Sequence, residues 1–253
     1  MILEELLDKK DNDIIGDMMN FEKVVLEGDL FYVENFLTQE ELDFFKPFCD
    51  DHEGWYTTMR SPYRNILNKF IENNMERRPD GSTGVPTGDE PAIEHEILKR
   101  PGGVLDKLTQ IMPPIYRPHA TLQTFKYCTD EEIERDLNEM DRKEITQDGI
   151  LPFDVKKVDW AMNWHSEWDE TSPLPQFNRS LSVYLNDDFE GGELVFKYKP
   201  YVIKPKAGMF VSVPVTKEFT HRVNKITSGN WRHTLYGASW NKEFPPNSTE
   251  ETC

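Results

Sequence analysis

The sequence predicts a mainly β protein with helices, and three observations carry that reading. Residues 179–186 (RSLSVYLN) alternate apolar and polar side chains, the mark of a strand with one buried face. Runs of similar length follow at 193–198 (ELVFKY), 208–213 (GMFVSV) and 232–240, separated by turn-rich segments such as DDFEGG at 187–192. Short strands joined by turns at this spacing predict an antiparallel sandwich or barrel. Helix signals, by contrast, fall mainly in the first half, so the expected plan is a β core with N-terminal helical decoration.

In chain order, residues 1–10 suit a short amphipathic helix with Ile2, Leu3, Leu6 and Leu7 on one side, and 11–17 are polar. A strand, DLFYV, is expected within 24–33. Thr38, Gln39, Glu40 and Glu41 then open a helix running to about Cys49. The threonine caps, the glutamate three residues on reaches back, and Leu42, Phe45 and Phe48 recur at helical spacing. Residues 55–60 (WYTTMR) read as a strand. Ser61 and Pro62 read as a cap with proline in the first turn of a helix extending to about Asn73. The Pro-, Gly- and charge-rich stretch 76–90 is a loop. Residues 94–111 are helical with a break at Pro101-Gly102-Gly103, and Pro113 and Pro114 end them. His95, between Glu94 and Glu96, is read as a surface residue.

Residues 119–127 (HATLQTFKY) form a strand, and 129–159 an insertion that begins as a charged helix. That excursion is either a lid or simple decoration. The domain plan is therefore an acidic N-terminal segment 1–23, one domain over 24–241 and a polar tail 242–253.

The chain has 253 residues and a formal net charge of -17. Such acidity repels phosphate backbones, so nucleic acid is not expected as a partner. Lys197, Lys199, Lys204 and Lys206 cluster, and the bland reading is a solvated face. No apolar run approaches the length of a membrane span, and the first residues lack the pattern of a secretory signal. Cys49, Cys128 and Cys253 show no paired spacing. The expectation is a soluble, cytoplasmic protein with reduced thiols. The oligomeric state is left open.

The chemistry concentrates at 163–240. His165 and Glu167 stand two apart, so on a strand they share a face and can grip one ion. His221, well downstream, completes the set if its strand lies alongside. Two histidines and a carboxylate on one face of a metal, with other positions open, is the arrangement of non-haem Fe(II) oxygenases. Asp169 is a rival to Glu167, because 165, 167 and 169 share a face on an extended strand.

The order of motifs sharpens this. His165-x-Glu167, Arg179, Tyr184-Leu185-Asn186, Gly191-Gly192-Glu193, Pro205-x-x-Gly208, His221-x-Val223, Gly229 and Arg232 follow one another. In this order and spacing, about the last third of the chain resembles the prolyl 4-hydroxylase-like Fe(II)/2-oxoglutarate-dependent dioxygenase family. The resemblance implies a double-stranded β-helix (jelly-roll) core. It implies His165, Glu167 and His221 as iron ligands, with Fe(II), the co-substrate 2-oxoglutarate, O2 and ascorbate as reductant. Arg232, eleven residues after His221, would bind the distal carboxylate of 2-oxoglutarate, with Tyr184, Thr234 and Tyr127 lining the co-substrate. The arginine's planar, permanently charged fork suits that carboxylate. The family pattern has aspartate where this chain has Glu167. The interval from His221 to Arg232 is one residue longer than the pattern, which makes Trp231 and His233 candidates to crowd the pocket. The implied reaction is hydroxylation of an unactivated C–H bond, in a prolyl residue of a peptide or protein. The alternatives are a free amino acid or small metabolite as substrate, or a metal-binding jelly roll without turnover.

Overall fold

The computed structural model describes residues 20–50, 55–57, 64–70, 95–111, 120–125, 159–166 and 177–240. The strands are β1 (Val24–Glu27), β2 (Leu30–Val33), β3 (Trp55–Thr57), β4 (Arg64–Phe70), β5 (Ala120–Phe125), β6 (Trp160–His165) and β7 (Phe177–Tyr184). They continue as β8 (Phe189–Gly191), β9 (Leu194–Phe196), β10 (Val202–Ile203), β11 (Phe210–Pro214), β12 (His221–Asn224), β13 (Ile226–Gly229) and β14 (Arg232–Trp240). The helices are α1 (Gln39–Asp50), α2 (Glu96–Lys99) and α3 (Val104–Ile111).

A large antiparallel sheet runs β1-β2-β11-β7-β14-β5-β4-β3, and a smaller one runs β10-β9-β12-β6. β8 and β13 pair separately. Period-two alternation sends neighbouring side chains of the large sheet to opposite faces. Leu30, Tyr184, Val211 and Val213 point to one face and pack with Trp160, Leu194, Phe196, Ile203 and Val223 of the small sheet. Phe31, Val33, Leu181, Val183, Phe210 and Leu235 point to the other and pack against all three helices. The architecture is therefore three layers, helices on a large sheet on a small sheet, with an apolar core at each interface.

The helix opening at Thr38 has the expected capping box. Glu41 N donates to Thr38 Oγ1 at 3.3 Å, and Thr38 N donates to Glu41 Oε2 at 2.7 Å. The Glu41 carboxylate has a second task. Lys107 Nζ of α3 donates to it at 2.5 Å and to the Phe36 carbonyl at 3.1 Å. The pair joins α1 to α3 with side-chain exposures of only 9% and 1%. Replacing Lys107 with methionine strands that carboxylate without its cation. The expected cost is about 3–5 kcal/mol in chemical denaturation, and Lys107→Met with Glu41→Leu should recover most of it. Equal stability of the single variant and the wild type would contradict this account. Burial pushes the nearby Cys49 thiol up to about 12, so it stays protonated and unreactive at neutral pH.

Several expectations need correction. The segment read as a helix over 61–73 contains a strand, β4. Asn65 and Asn68 are poor helix formers. β4 pairs on both sides, Ile66 lying opposite Tyr56 of β3 and opposite Gln123 of β5. Two-sided pairing satisfies its backbone groups more fully than a short, isolated helix could. The segment 187–192, read as a turn, contains the short strand β8, which pairs with β13. The strand in 24–33 is a hairpin, β1 and β2 joined around Gly28 at φ 54°. The helix at 94–111 does break as expected, into α2 and α3, and the exposed His95 caps α2, its Nδ1 accepting from Ile97 N at 3.2 Å. The expectations for 1–10 and 76–90, and most of the 129–159 insertion, lie outside the described residues. Among the described residues no helix is long and apolar enough to cross a membrane.

Candidate functional site

His165 ends β6 and His221 begins β12, and the antiparallel register sets them directly opposite one another. Their ring centroids are 4.4 Å apart at an interplanar angle of 63°. β6 carries irregularities against β12, since Val223 pairs with Met162 rather than with the residue two before His165. Such bulges re-aim side chains.

His221 is 6% exposed. Its Nδ1 lies 2.9 Å from the Phe219 carbonyl oxygen. A carbonyl only accepts, so Nδ1 carries the proton and Nε2 keeps its lone pair for a metal or a proton. Phe219 comes from the single helical turn Lys217–Phe219 just before β12, and Phe196 of β9 packs 6.0 Å from the imidazole. On the opposite face of the strand pair, Arg222 donates to both oxygens of Asp159 at 3.1 and 2.9 Å. Its guanidinium lies 4.9 Å over the Trp164 ring. That cross-link ties the start of β6 to β12 and holds the histidine register from behind.

Across the core, Tyr184 of β7 pairs with Thr234 of β14. Arg232, the first residue of β14, is 2% exposed, and its guanidinium carbon lies 4.8 Å over the Tyr184 ring. Tyr184 is fully buried, and its hydroxyl has no hydrogen-bond partner among the described residues. A buried hydroxyl left so needs an explanation, and a ligand oxygen beside a buried cation provides one. Phe196 and Phe219 beside His221, and Tyr184 beneath Arg232, belong to one continuous apolar core. The arrangement therefore faces a pair of imidazoles and a buried cation onto the same interior.

Gly192 makes room for that cation. It sits at φ 70°, and a Cβ there would come within 2.6 Å of Ile226 Cδ1 and 2.9 Å of Arg232 Cδ. Gly192→Ala is therefore expected to destabilise the chain by about 1–3 kcal/mol through overpacking. It should also displace the arginine stem. A denaturation midpoint unchanged from wild type would exclude the close approach.

The structure describes His165, His221, Arg232, Tyr184 and Thr234 of the residues singled out in the sequence. Glu167, its rival Asp169, and Tyr127 lie outside the described residues. Among the described residues no group of three or more His, Cys, Asp or Glu gathers as a metal site. Trp231 and His233 do not crowd the space over Tyr184. Alternation turns His233 to the helix side of the sheet, where it and Trp231 line a cavity of about 500 Å³ together with Leu42, Lys46 and Asp188. Sequence reading missed Arg222 and the Asn186 side chain, whose roles depend on partners far away along the chain.

No protein-family model matches the chain. A stretch of 67 residues is 37% identical to prolyl 3-hydroxylase 2 of Homo sapiens, covering 24% of this chain and 10% of that protein. A stretch of 76 residues is 41% identical to a PKHD-type hydroxylase of Psychrobacter, covering 28% of this chain and 27% of that protein. The matches thus span a tenth to about a quarter of the length of these curated relatives. Among solved structures, a viral collagen prolyl hydroxylase from Paramecium bursaria Chlorella virus-1 superposes with a TM-score of 0.45 at 16% identity, over 85% of this chain and 97% of that one. A Pseudomonas putida prolyl-4-hydroxylase does so with a TM-score of 0.48 at 12% identity, over 85% and 93%. In its motif residues and in these sequence matches, the chain resembles the prolyl hydroxylase-like Fe(II)/2-oxoglutarate oxygenases.

Proposed function

We propose that the chain is an Fe(II)/2-oxoglutarate-dependent dioxygenase with a jelly-roll core spanning 24–241, which hydroxylates a prolyl residue of a peptide or protein. The observation that carries this reading is the pairing across one core of His165 and His221 with Arg232 over Tyr184. The donor set fits the group. His221 offers Nε2 because Phe219 holds Nδ1, and His165 stands opposite. Glu167 supplies the anionic oxygen of a two-histidine, one-carboxylate triad, with Asp169 as the other candidate. Arg232 takes the distal carboxylate of 2-oxoglutarate, and the Tyr184 hydroxyl and Thr234 complete that end of the pocket. Iron with 2-oxoglutarate and O2 supplies, when bound, the oxidising power for C–H hydroxylation, and ascorbate keeps the metal reduced.

Arg232 is 2% exposed, so its attraction for a carboxylate is little weakened by water. The likeness to prolyl 3-hydroxylase 2 supports a prolyl substrate.

Succinate formation tests the proposal. Anaerobically purified chain receives Fe(II), 2-oxoglutarate and ascorbate, then air, with and without proline-rich peptides. Succinate that needs iron and 2-oxoglutarate and rises with peptide is expected. Stimulation only by free amino acids would move the substrate to a small metabolite. No succinate with any of them, from protein that holds both groups, would mean a site that binds without turnover. Alanine at Glu167 and at Asp169, made separately, assigns the carboxylate: loss of metal binding is expected for Glu167→Ala and not for Asp169→Ala.

A further inference from the structure

We propose that Asn186 is a positioning residue that sets the direction of Arg232, locked in that task by Asp188 and Asn230. The inference rests on the reading that Arg232 receives the distal carboxylate of 2-oxoglutarate, and it adds residues that never touch that ligand.

The β7–β14 ladder reaches Thr234 opposite Tyr184. Leu185 N extends it by one bond to His233 O at 3.0 Å. Beyond that point the Asn186 side chain takes over as a surrogate strand partner. Its Oδ1 accepts from His233 N at 2.8 Å, and its Nδ2 donates to Trp231 O at 2.8 Å. Those groups belong to the two peptide units on either side of the Arg232 Cα. Holding both fixes φ and ψ of Arg232, and so fixes the direction in which its Cβ leaves the backbone.

The amide is itself held. Its second proton goes to Asp188 Oδ1 at 2.6 Å, and Asp188 Oδ2 accepts from Asn230 Nδ2 at 2.5 Å. Asn230 N donates to Asp188 O at 3.1 Å, closing the turn that leads into β14. A carboxylate only accepts, so Asp188 dictates which end of the Asn186 amide is nitrogen. Burial alone would raise the Asp188 carboxyl, but the amide protons of Asn230 and Asn186 outweigh it and hold it below the usual carboxylate value. The acceptor is therefore ionised at neutral pH.

Arg232 is thus constrained along its whole length. Asn186 holds its backbone, Gly192 passes against its stem and the Tyr184 ring lies under its head. Bidentate capture of a carboxylate tolerates about 0.5 Å and 10–20° of error. A backbone rotation at Arg232 would be magnified along a four-bond stem to well beyond that.

The test uses the full chain loaded with Mn(II), which binds such ligands without turnover. Calorimetry gives dissociation constants for 2-oxoglutarate and for 2-oxobutyrate, which keeps the keto acid and lacks the far carboxylate. Wild type is expected to prefer 2-oxoglutarate. Asn186→Ala should lower 2-oxoglutarate affinity roughly tenfold to a hundredfold, the range found when groups that orient a ligating residue are removed. Affinities for 2-oxobutyrate and Mn(II) should stay at wild-type values. Asn230→Ala, at an exposed position, should move the same preference in the same direction by a smaller factor, and it keeps the test available if Asn186→Ala does not fold. A wild-type preference retained in both variants overturns the proposal. So does a parallel loss of both keto acids and the metal, which is the signature of general unfolding. A wild type that binds Mn(II) but shows no preference for 2-oxoglutarate would instead overturn the reading of Arg232 itself.

Discussion

His221→Ala is expected to lose metal binding by more than about a hundredfold and, with it, all iron-dependent succinate formation. Removal of groups that only hydrogen-bond to a metal ligand costs roughly ten- to a hundredfold in metal affinity, and here a proposed ligand itself is lost. The Phe219 carbonyl, 2.9 Å from Nδ1, accepts from the ring N–H and leaves Nε2 as the nitrogen with a lone pair. His165→Ala should behave alike, because the two rings stand opposite in register. Metal content after dialysis and a Co(II) titration measure the effect independently of turnover. A His221→Ala chain that held iron at wild-type affinity and formed succinate at the wild-type rate would break the assignment. Folding should survive His165→Ala, since that side chain is only half-buried.

Arg232→Ala is expected to weaken 2-oxoglutarate by about 2–5 kcal/mol, which is roughly thirtyfold to several thousandfold in the dissociation constant. The arginine is 2% exposed, so no solvent replaces its charge when it is removed. Metal affinity should be unchanged. Arg232→Lys should fall between the two, because lysine keeps the charge but loses the planar fork and the stack on Tyr184. Equal affinity of Arg232→Ala and wild type for 2-oxoglutarate would place the anion elsewhere.

Signals carried by residues close together in the chain were legible in the sequence, and those made between distant segments were not. Strands β7, β9, β11 and β14 were legible because each is a short apolar-rich run set off by turn residues, and their observed limits fall within a few residues of the expected ones. The alternation read at 179–186 did not show that β7 and β11 are buried on both faces, which the third layer decides. The capping box at Thr38 and Glu41 was legible because both partners lie within one helical turn. β4 was misread for the opposite reason. Its neighbours β3 and β5 come from distant stretches of chain, and only their pairing makes 64–70 extended. The same holds for β8, whose partner is β13.

By itself the sequence determined the mainly β fold class, the capping box at Thr38 and the chemical inventory: two histidines far apart in the chain, an arginine opening a strand and a tyrosine within another. Those follow from side-chain type and from periodicities of two and 3.6, which act over a few residues. Only the tertiary structure decided that His165 faces His221, that Arg232 lies over Tyr184 with Gly192 against its stem, and that Asn186 grips both peptides around Arg232. Register, bulges and buried polar contacts arise between segments far apart in the chain. Their free energy is realised only when packing removes water from both partners at once.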